Sequence, residues 1–275
     1  IREAREGDLI AALSGVPTQV MCKLLGVPDE DVATFNDWVG ALSPVFVMMT
    51  PAQIAAATDA IAKLLAYTHE LCAHREKAPR DDLVSALIAV EHEGDRLTRD
   101  ETARLVANLL VAGHDTTGSQ MGCSLLNLLP RPDVLAEARA DPTLASSIVM
   151  ESIRLEPALP IIARTLTAAA DIGGKERPAG TMIWLCSLTA GLDPDVWRDP
   201  ETFDPHRFAA PNAPKLLTFG AGTHACLGTW LARLTLEEAI RGVAKMAPTL
   251  TAPAKEIEWV QVLGANPSRL PVAVH

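Results

Sequence analysis

A cysteine among glycines lies near the carboxyl end of the chain. Residues 219–228 read FGAGTHACLG, and Cys226 immediately precedes a helix-forming stretch. Glycine permits positive φ and close approach of the backbone to a ligand, and a helix N-terminus favours the thiolate. The loop therefore predicts a reactive or metal-bound sulfur. One alternative is a buried Cys in a tight turn. The other is a cysteine-protease nucleophile with His224 as its base, although such groups usually lie far apart in sequence.

A second unusual segment interrupts a long apolar stretch. Residues 112–117 read AGHDTT, and Gly costs about 1 kcal/mol in a helix interior, where Asp and Thr are also poor formers. A segment of this kind indicates either a kink filled by local side-chain hydrogen bonds or a functional site. We interpret His114 as a hydrogen-bonding residue of the helix face and not as a ligand.

The cysteine loop resembles the haem-binding loop of cytochromes P-450, with Phe, Gly, a basic residue, Cys and Gly at matching spacing. The resemblance implies that Cys226 is the axial thiolate of a haem b iron. It also implies that Phe219 packs by the proximal face and that His224 reaches a haem propionate. Gly220 and Gly228 belong to the same cofactor-binding loop. A thiolate ligand donates electron density to iron and favours cleavage of the O–O bond.

The interrupted segment resembles the oxygen-activation motif of the same family. By that resemblance Ala112 and Gly113 open room over the iron. Asp115 and Thr116 would then deliver protons to iron-bound dioxygen, and we assign them as the catalytic pair. These two residues argue against a peroxide-driven enzyme, which has no need for proton delivery to dioxygen.

Two further matches follow in the family's order. Glu151 and Arg154 resemble the ExxR pair, which is buried in the family and joined by an Arg that Arg207 matches here. Taken alone, such a pair is ordinary on an exposed helix. Arg164 matches the propionate-binding Arg, and its alternative is a surface residue of a strand. The resemblance covers essentially the whole chain.

The function implied is that of a haem-thiolate monooxygenase acting on a small apolar substrate with dioxygen. Its electrons would come from a separate ferredoxin or flavodoxin-type donor, because the chain has no flavin or iron–sulfur motif. The alternative is a non-catalytic haem-binding or structural fragment of the same fold. Complete family members begin well before Ile1, so the amino-terminal β region and first helices of the fold are expected to be missing.

The elements that must position these residues are mostly helices. Apolar periodicity, capping residues and prolines predict helices over residues 16–25, 29–42, 51–77, 81–91, 98–129, 141–157 and 227–246. Short strands are predicted over residues 161–168 and 182–185, and Gly173-Gly174 predicts a hairpin turn. The expected fold is mainly α with small β-sheets, as in the cytochrome P-450 fold. We expect residues 1–275 to form one haem-binding domain.

The composition limits the other possibilities. The chain has 275 residues, of which 48% are hydrophobic, and a net charge of −10. An acidic chain is a poor nucleic-acid binder, because phosphate contacts need clustered Lys and Arg. The most apolar run, residues 103–113, is too short to span a bilayer, so we expect a cytoplasmic protein. The remaining cysteines lie among apolar residues and are expected to be buried: Cys22, Cys72, Cys123 and Cys186.

Overall fold

Helices make up most of the structure, a computed structural model that describes residues 6–43, 49–90, 96–246, 250–251, 257–261 and 265–274. None of the helices in these ranges is both long and apolar enough to cross a membrane. The helices are α1 (Leu9–Leu13), α2 (Val16–Leu25), α3 (Val32–Leu42), α4 (Pro51–Lys77), α5 (Leu83–Ala89), α6 (Arg99–Leu128), α7 (Pro132–Ala140), α8 (Ala145–Leu155), α9 (Ser187–Gly191) and α10 (Thr229–Met246).

The long helix α6 is the axis around which the other helices pack. The predicted capping box is present at its start, since the Thr98 hydroxyl accepts from the Glu101 N–H and the Glu101 carboxylate accepts from the Thr98 N–H. Its 30 residues give a length of about 45 Å. The first half packs in a core with α2, α3, α4 and α5. The second half packs in another core with α7, α8 and α10.

Several element boundaries differ from those expected from sequence. Helix α7 was not predicted from the sequence. Pro132 lies in its first turn, which does not use the missing N–H. Helix α5 is shorter than predicted, since Asp82 is its N-cap. The expected polar loop at residues 93–95 lies outside the described residues.

The strands form small antiparallel sheets at the periphery. They are β1 (Glu6–Asp8), β2 (Ile161–Thr165), β3 (Ala170–Asp171), β4 (Glu176–Arg177), β5 (Met182–Cys186), β6 (Leu250–Thr251), β7 (Glu258–Gln261), β8 (Ala265–Arg269) and β9 (Pro271–Val274). Strand β2 pairs with β5, β3 with β4 and β7 with β8, while β9 lies between β1 and β6. The mainly α fold with small sheets is confirmed. The pairing of β1 with β9 was not predicted, and Cys186, expected to be buried, is half-buried at the end of β5.

A buried ion pair fastens the first core where α2 ends. Arg75 of α4 donates through Nε to Asp82 Oδ2 at 2.5 Å and through Nη2 to the Gly26 carbonyl at 2.7 Å. The other Asp82 oxygen accepts from the Ser85 N–H and caps α5. Gly26 has a φ of 70°, and a Cβ there would lie 2.2 Å from Asp82 Oδ2. Glycine is therefore required at this position for both its backbone conformation and its small size.

We expect Gly26→Ala to lower the free energy of unfolding by at least about 2 kcal/mol, because left-handed strain of ~1–2 kcal/mol adds to displacement of Asp82. The matched control is Gly40→Ala in α3, where an added Cβ meets no atom within 4 Å. That change should stabilise the protein by roughly 0.5–1 kcal/mol through helix propensity. Urea unfolding followed by circular dichroism measures both. Equal effects of the two substitutions would contradict the assigned role of Gly26.

Candidate functional site

The cysteine loop folds so that its sulfur faces outward. Gly220 and Gly222 have φ values of 70° and 75°, which turn the chain tightly. The Cys226 N–H donates to the Phe219 carbonyl at 2.8 Å and closes the loop. The Thr229 hydroxyl donates to the Cys226 carbonyl at 2.8 Å and joins the loop to α10. The Cys226 side chain is left exposed, so its sulfur is accessible to a metal.

The exposed sulfur lines a cavity of about 240 Å³ between the loop, α6 and β2, which we call the thiol cavity. It brings together predicted site residues from three separate parts of the sequence. Thr116 comes from α6 and Arg164 from β2. The loop contributes the other four, Phe219, Gly220, His224 and Cys226. Gly228 lies beside the cavity, because a Cβ on it would be 4.0 Å from Cys226 Sγ.

The chemistry of this cavity fits an iron porphyrin. A single accessible thiol supplies a soft axial ligand, and Ile153, Leu159 and Ile162 give apolar walls for a flat ring. Arg164 and His224 lie in the same wall, and neither has a carboxylate partner among the described residues. Arg164 donates only to the neighbouring Ala163 carbonyl. Two unpaired basic groups beside an apolar slot suit the propionates of a haem.

The residues of segment 112–117 face different sides of α6. Thr116 faces the thiol cavity, and its hydroxyl donates to the Ala112 carbonyl at 2.7 Å, one turn earlier. Ala112 is exposed on that same helix face. Gly113 does not open room in the cavity as expected, because a Cβ on it would lie 2.8 Å from the Met21 side chain. It is small because α2 approaches closely.

Asp115 also lies away from the thiol cavity. It lines a separate space of about 220 Å³ on another side of α6, together with His114, Ser119 and residues of β8. His114 Nε2 is 3.5 Å from Asp115 Oδ1. The expected pairing of Asp115 with Thr116 at one cavity is therefore not what the structure shows. Neighbouring residues of a helix point about 100° apart, which lets Asp115 and Thr116 line different cavities.

Glu151, Arg154 and Arg207 meet in one buried cluster. The Glu151 carboxylate accepts two bonds of 2.7 Å from Arg154 and bonds of 3.0 and 3.1 Å from Arg207 Nε. Both Glu151 and Arg154 are 0% exposed. Arg154 also donates to the carbonyls of Gly191, Pro200 and Thr202. The cluster thus fixes the irregular segment that leads to the cysteine loop.

Three contributing residues were not identified from the sequence. Gln120 lines the thiol cavity, and its amide bonds the Glu156 carbonyl and the Ala158 N–H. Trp197 places its ring 5.5 Å from the Arg154 guanidinium carbon. Thr18 of α2 contacts His114. A signal existed only for Gln120, which is a polar residue one turn after Thr116 in an apolar stretch.

Comparison with known proteins agrees with this geometry. The family described as Cytochrome P450 matches residues 35–241. Cyclomarin C epoxidase CymV of Salinispora arenicola is 34% identical over 99% of this chain and 69% of its own length. Erythromycin C-12 hydroxylase of Saccharopolyspora erythraea is 37% identical over 85% of this chain and 60% of its own length. The chain thus spans about two thirds of these relatives.

A solved structure shares the same architecture. The ligand-free structure of cytochrome P450 TbtJ1 superposes with a TM-score of 0.91 and 32% identity. The match covers 99% of this chain and 72% of that one. The helices and small sheets described above are therefore arranged as in a solved structure of that family.

We expect Glu151→Gln to lower the free energy of unfolding by about 3–5 kcal/mol, because it leaves two arginines without a buried counter-charge. The control is Glu238→Gln, which removes an exposed ion pair with Arg241 and should cost less than about 1 kcal/mol. Urea titration of both variants gives the comparison. A loss for Glu151→Gln no larger than that for Glu238→Gln would show that the cluster does not hold the fold.

Proposed function

Since the chain belongs to the cytochrome P450 family, we propose that it is a haem-thiolate monooxygenase. The observation that carries the proposal is the thiol cavity, where the Cys226 sulfur and the Thr116 hydroxyl line one space. In the balanced reaction, one oxygen atom of dioxygen enters the substrate and the other leaves as water. Two electrons and two protons must therefore be supplied for each substrate molecule.

The chain's own residues hold the cofactor at several points. Cys226 binds the iron as a thiolate, and its N–H remains bonded to Phe219 so that the sulfur stays in place. Arg164 would hold the propionates by charge and hydrogen bonds, and His224 would hold them by hydrogen bonds. The cofactor is haem b, which when bound supplies the redox chemistry of oxygen activation. The protein's part is to orient it against the α6 face that carries Thr116.

Thr116 supplies a positioned hydroxyl on the oxygen side of the cavity. In the structure this hydroxyl donates a hydrogen bond to the Ala112 carbonyl. The bond restrains the side chain and leaves the hydroxyl oxygen able to accept a hydrogen bond from another donor. We assign Thr116 to holding a proton at its Oγ1 for the oxygen atom that leaves as water. For Asp115 to resupply that proton, its side chain would have to turn from the cavity that it lines in the structure.

An apolar substrate fits a second space between α3, α4 and α6. It has a volume of about 580 Å³ and is lined mainly by side chains such as Leu42, Ile61 and Val111. Arg104 and Asn108 are polar groups that could orient a substrate heteroatom. Val111 lies one residue before Ala112 on α6, so this space lies along the same helix as the thiol cavity. The two relatives are named as an epoxidase and a hydroxylase, which supports oxygen insertion.

The electrons come from a separate protein of ferredoxin or flavodoxin type. The support for this is chemical, since the proposed reaction consumes two electrons and the sequence has no flavin or iron–sulfur motif. We place the reaction in the cytoplasm. A net charge of −10 keeps such a protein dispersed by self-repulsion.

The assignment of the ligand is tested with a matched pair of cysteine variants. Cys226→Ser should lose the reduced carbon-monoxide band typical of thiolate-ligated haem, because a serine hydroxyl stays protonated and donates less charge to iron. Cys186→Ser is the control, since Cys186 is also partly exposed but lies at the end of β5 outside the thiol cavity. The band should survive there. An unchanged band in Cys226→Ser would remove that residue from the proposal.

The role of Thr116 is tested by the fate of the electrons. Thr116→Val keeps the side-chain shape but removes the hydroxyl, so haem should bind normally while reducing equivalents escape as hydrogen peroxide. A positioned proton donor contributes about 10²–10⁴-fold, so product formation should fall at least tenfold. Thr116→Ser restores a hydroxyl and should recover most of it. Full coupling of electrons to product in Thr116→Val would contradict the assignment.

A further inference from the structure

A buried glutamine of α6 contacts one side of the thiol cavity. Gln120 is 6% exposed and lines that cavity one turn after Thr116. A side-chain amide is costly to bury unless its donor and its acceptor are both hydrogen-bonded. An apolar side chain of the same size would avoid this cost. The hydrogen-bond partners of Gln120 therefore indicate what the amide does.

The partners lie in the connection between α8 and β2, residues 156–160. Gln120 Nε2 donates to the Glu156 carbonyl at 3.1 Å, and Gln120 Oε1 accepts from the Ala158 N–H at 2.8 Å. One side-chain amide thus makes the two bonds that a residue of a parallel neighbouring strand would make. Two bonds to groups on either side of Pro157 fix both the distance and the orientation of the connection relative to α6.

The connection has few hydrogen bonds of its own. Pro157 and Pro160 have no N–H to donate, and Ala158 is 3% exposed, with the Gln120 oxygen as the acceptor of its N–H. The far end is held separately, since the Ser187 N–H donates to the Pro160 carbonyl at 2.8 Å. Among the hydrogen bonds between described residues, those of Gln120 are the ones that join the connection to α6.

The chain that continues from Ala158 forms part of the thiol cavity. We call residues 158–164 the cavity wall. Its members that line the cavity are Ala158, Leu159, Ile162 and Arg164. Thr116 and Gln120 lie one turn apart on the same helix, so the bonds of Gln120 fix the cavity wall relative to the helix face that carries Thr116. The width of the cavity between α6 and the cavity wall therefore depends on this side chain.

We propose that Gln120 is a positioning residue that fixes the cavity wall against α6 and so limits the size of the group that fits beside Thr116. The inference rests on the proposed function for the identity of that group, which is one end of the substrate. Its geometry rests on Gln120 and the connection. Without the two bonds the cavity wall is free to move away from α6, and the cavity then admits larger groups.

The first test measures the contact without any cofactor. Gln120→Met keeps the length of the side chain but removes both bonds. Hydrogen exchange of the Ala158 N–H should become about fivefold faster, relative to the slowest amides of α6, which exchange through global unfolding. Exchange at Ala158 that is the same in Gln120→Met and the parent would overturn the proposal.

The matched control is Asn127→Leu, which also removes a buried amide of α6. Asn127 is 8% exposed, but it donates to the Cys123 carbonyl of its own helix. This variant should lose stability as Gln120→Met does, while the relative exchange rate of Ala158 stays that of the parent.

The second test measures the size of the cavity in the haem-loaded protein. Imidazole and 4-phenylimidazole both bind iron through a ring nitrogen, so the ratio of their affinities, measured by absorbance titration, reports the space available to the phenyl group. One methylene in a pocket wall changes discrimination by about tenfold or more. Gln120→Met should therefore raise the affinity for 4-phenylimidazole relative to imidazole by about tenfold, and Asn127→Leu should leave the ratio unchanged.

The outcomes separate this inference from the proposed function. An affinity ratio in Gln120→Met that equals or falls below that of the parent would show that Gln120 only stabilises the fold, although the monooxygenase assignment stands. If the parent binds no haem, the proposed function fails, and the exchange of the Ala158 N–H still decides whether Gln120 holds the cavity wall.

Discussion

The need to surround one fully buried carboxylate with hydrogen-bond donors determines the structure of the region around the candidate site. Glu151 cannot keep its charge away from water unless donors surround it, and Arg154, Arg207 and the Asp204 N–H supply them. The two arginines then direct their remaining N–H groups to carbonyls of a segment that has little regular secondary structure. The hydrogen bonds to these carbonyls determine the path of that segment. The loop that carries Cys226 follows it in the chain.

Helix α6 is the second constraint, because it separates two cavities. Its capping box and apolar periphery fix it across the fold, and the five-residue run from Ala112 to Thr116 then distributes side chains around its circumference. Thr116 faces the cavity that holds the Cys226 sulfur, and Asp115 faces a different one. Polar residues within a buried part of this helix therefore reach two separate cavities from adjacent positions.

Local sequence signals predicted the elements well, whereas contacts between distant parts of the chain were predicted only through the family resemblance. The capping box at Thr98 and the left-handed Gly26 are determined by neighbouring residues, so helix ends could be predicted from them. The orientation of Asp115 could not, because it depends on where α2 and β8 pack. Gly113 was explained by the cofactor, but the reason for its size is Met21 of a different helix. No local sequence pattern predicts the pairing of β1 with β9.

That last pairing has a consequence for how the protein is made. Glu6 pairs with Ala273, and the Leu9 N–H donates to the Leu270 carbonyl at 3.0 Å. During synthesis β1 leaves the ribosome long before β9 exists, so the pairing of β1 with β9 and the bond from Leu9 to Leu270 cannot form until β9 has been made. Contacts between such distant segments are slow to form, and apolar surface left exposed in the interval invites aggregation.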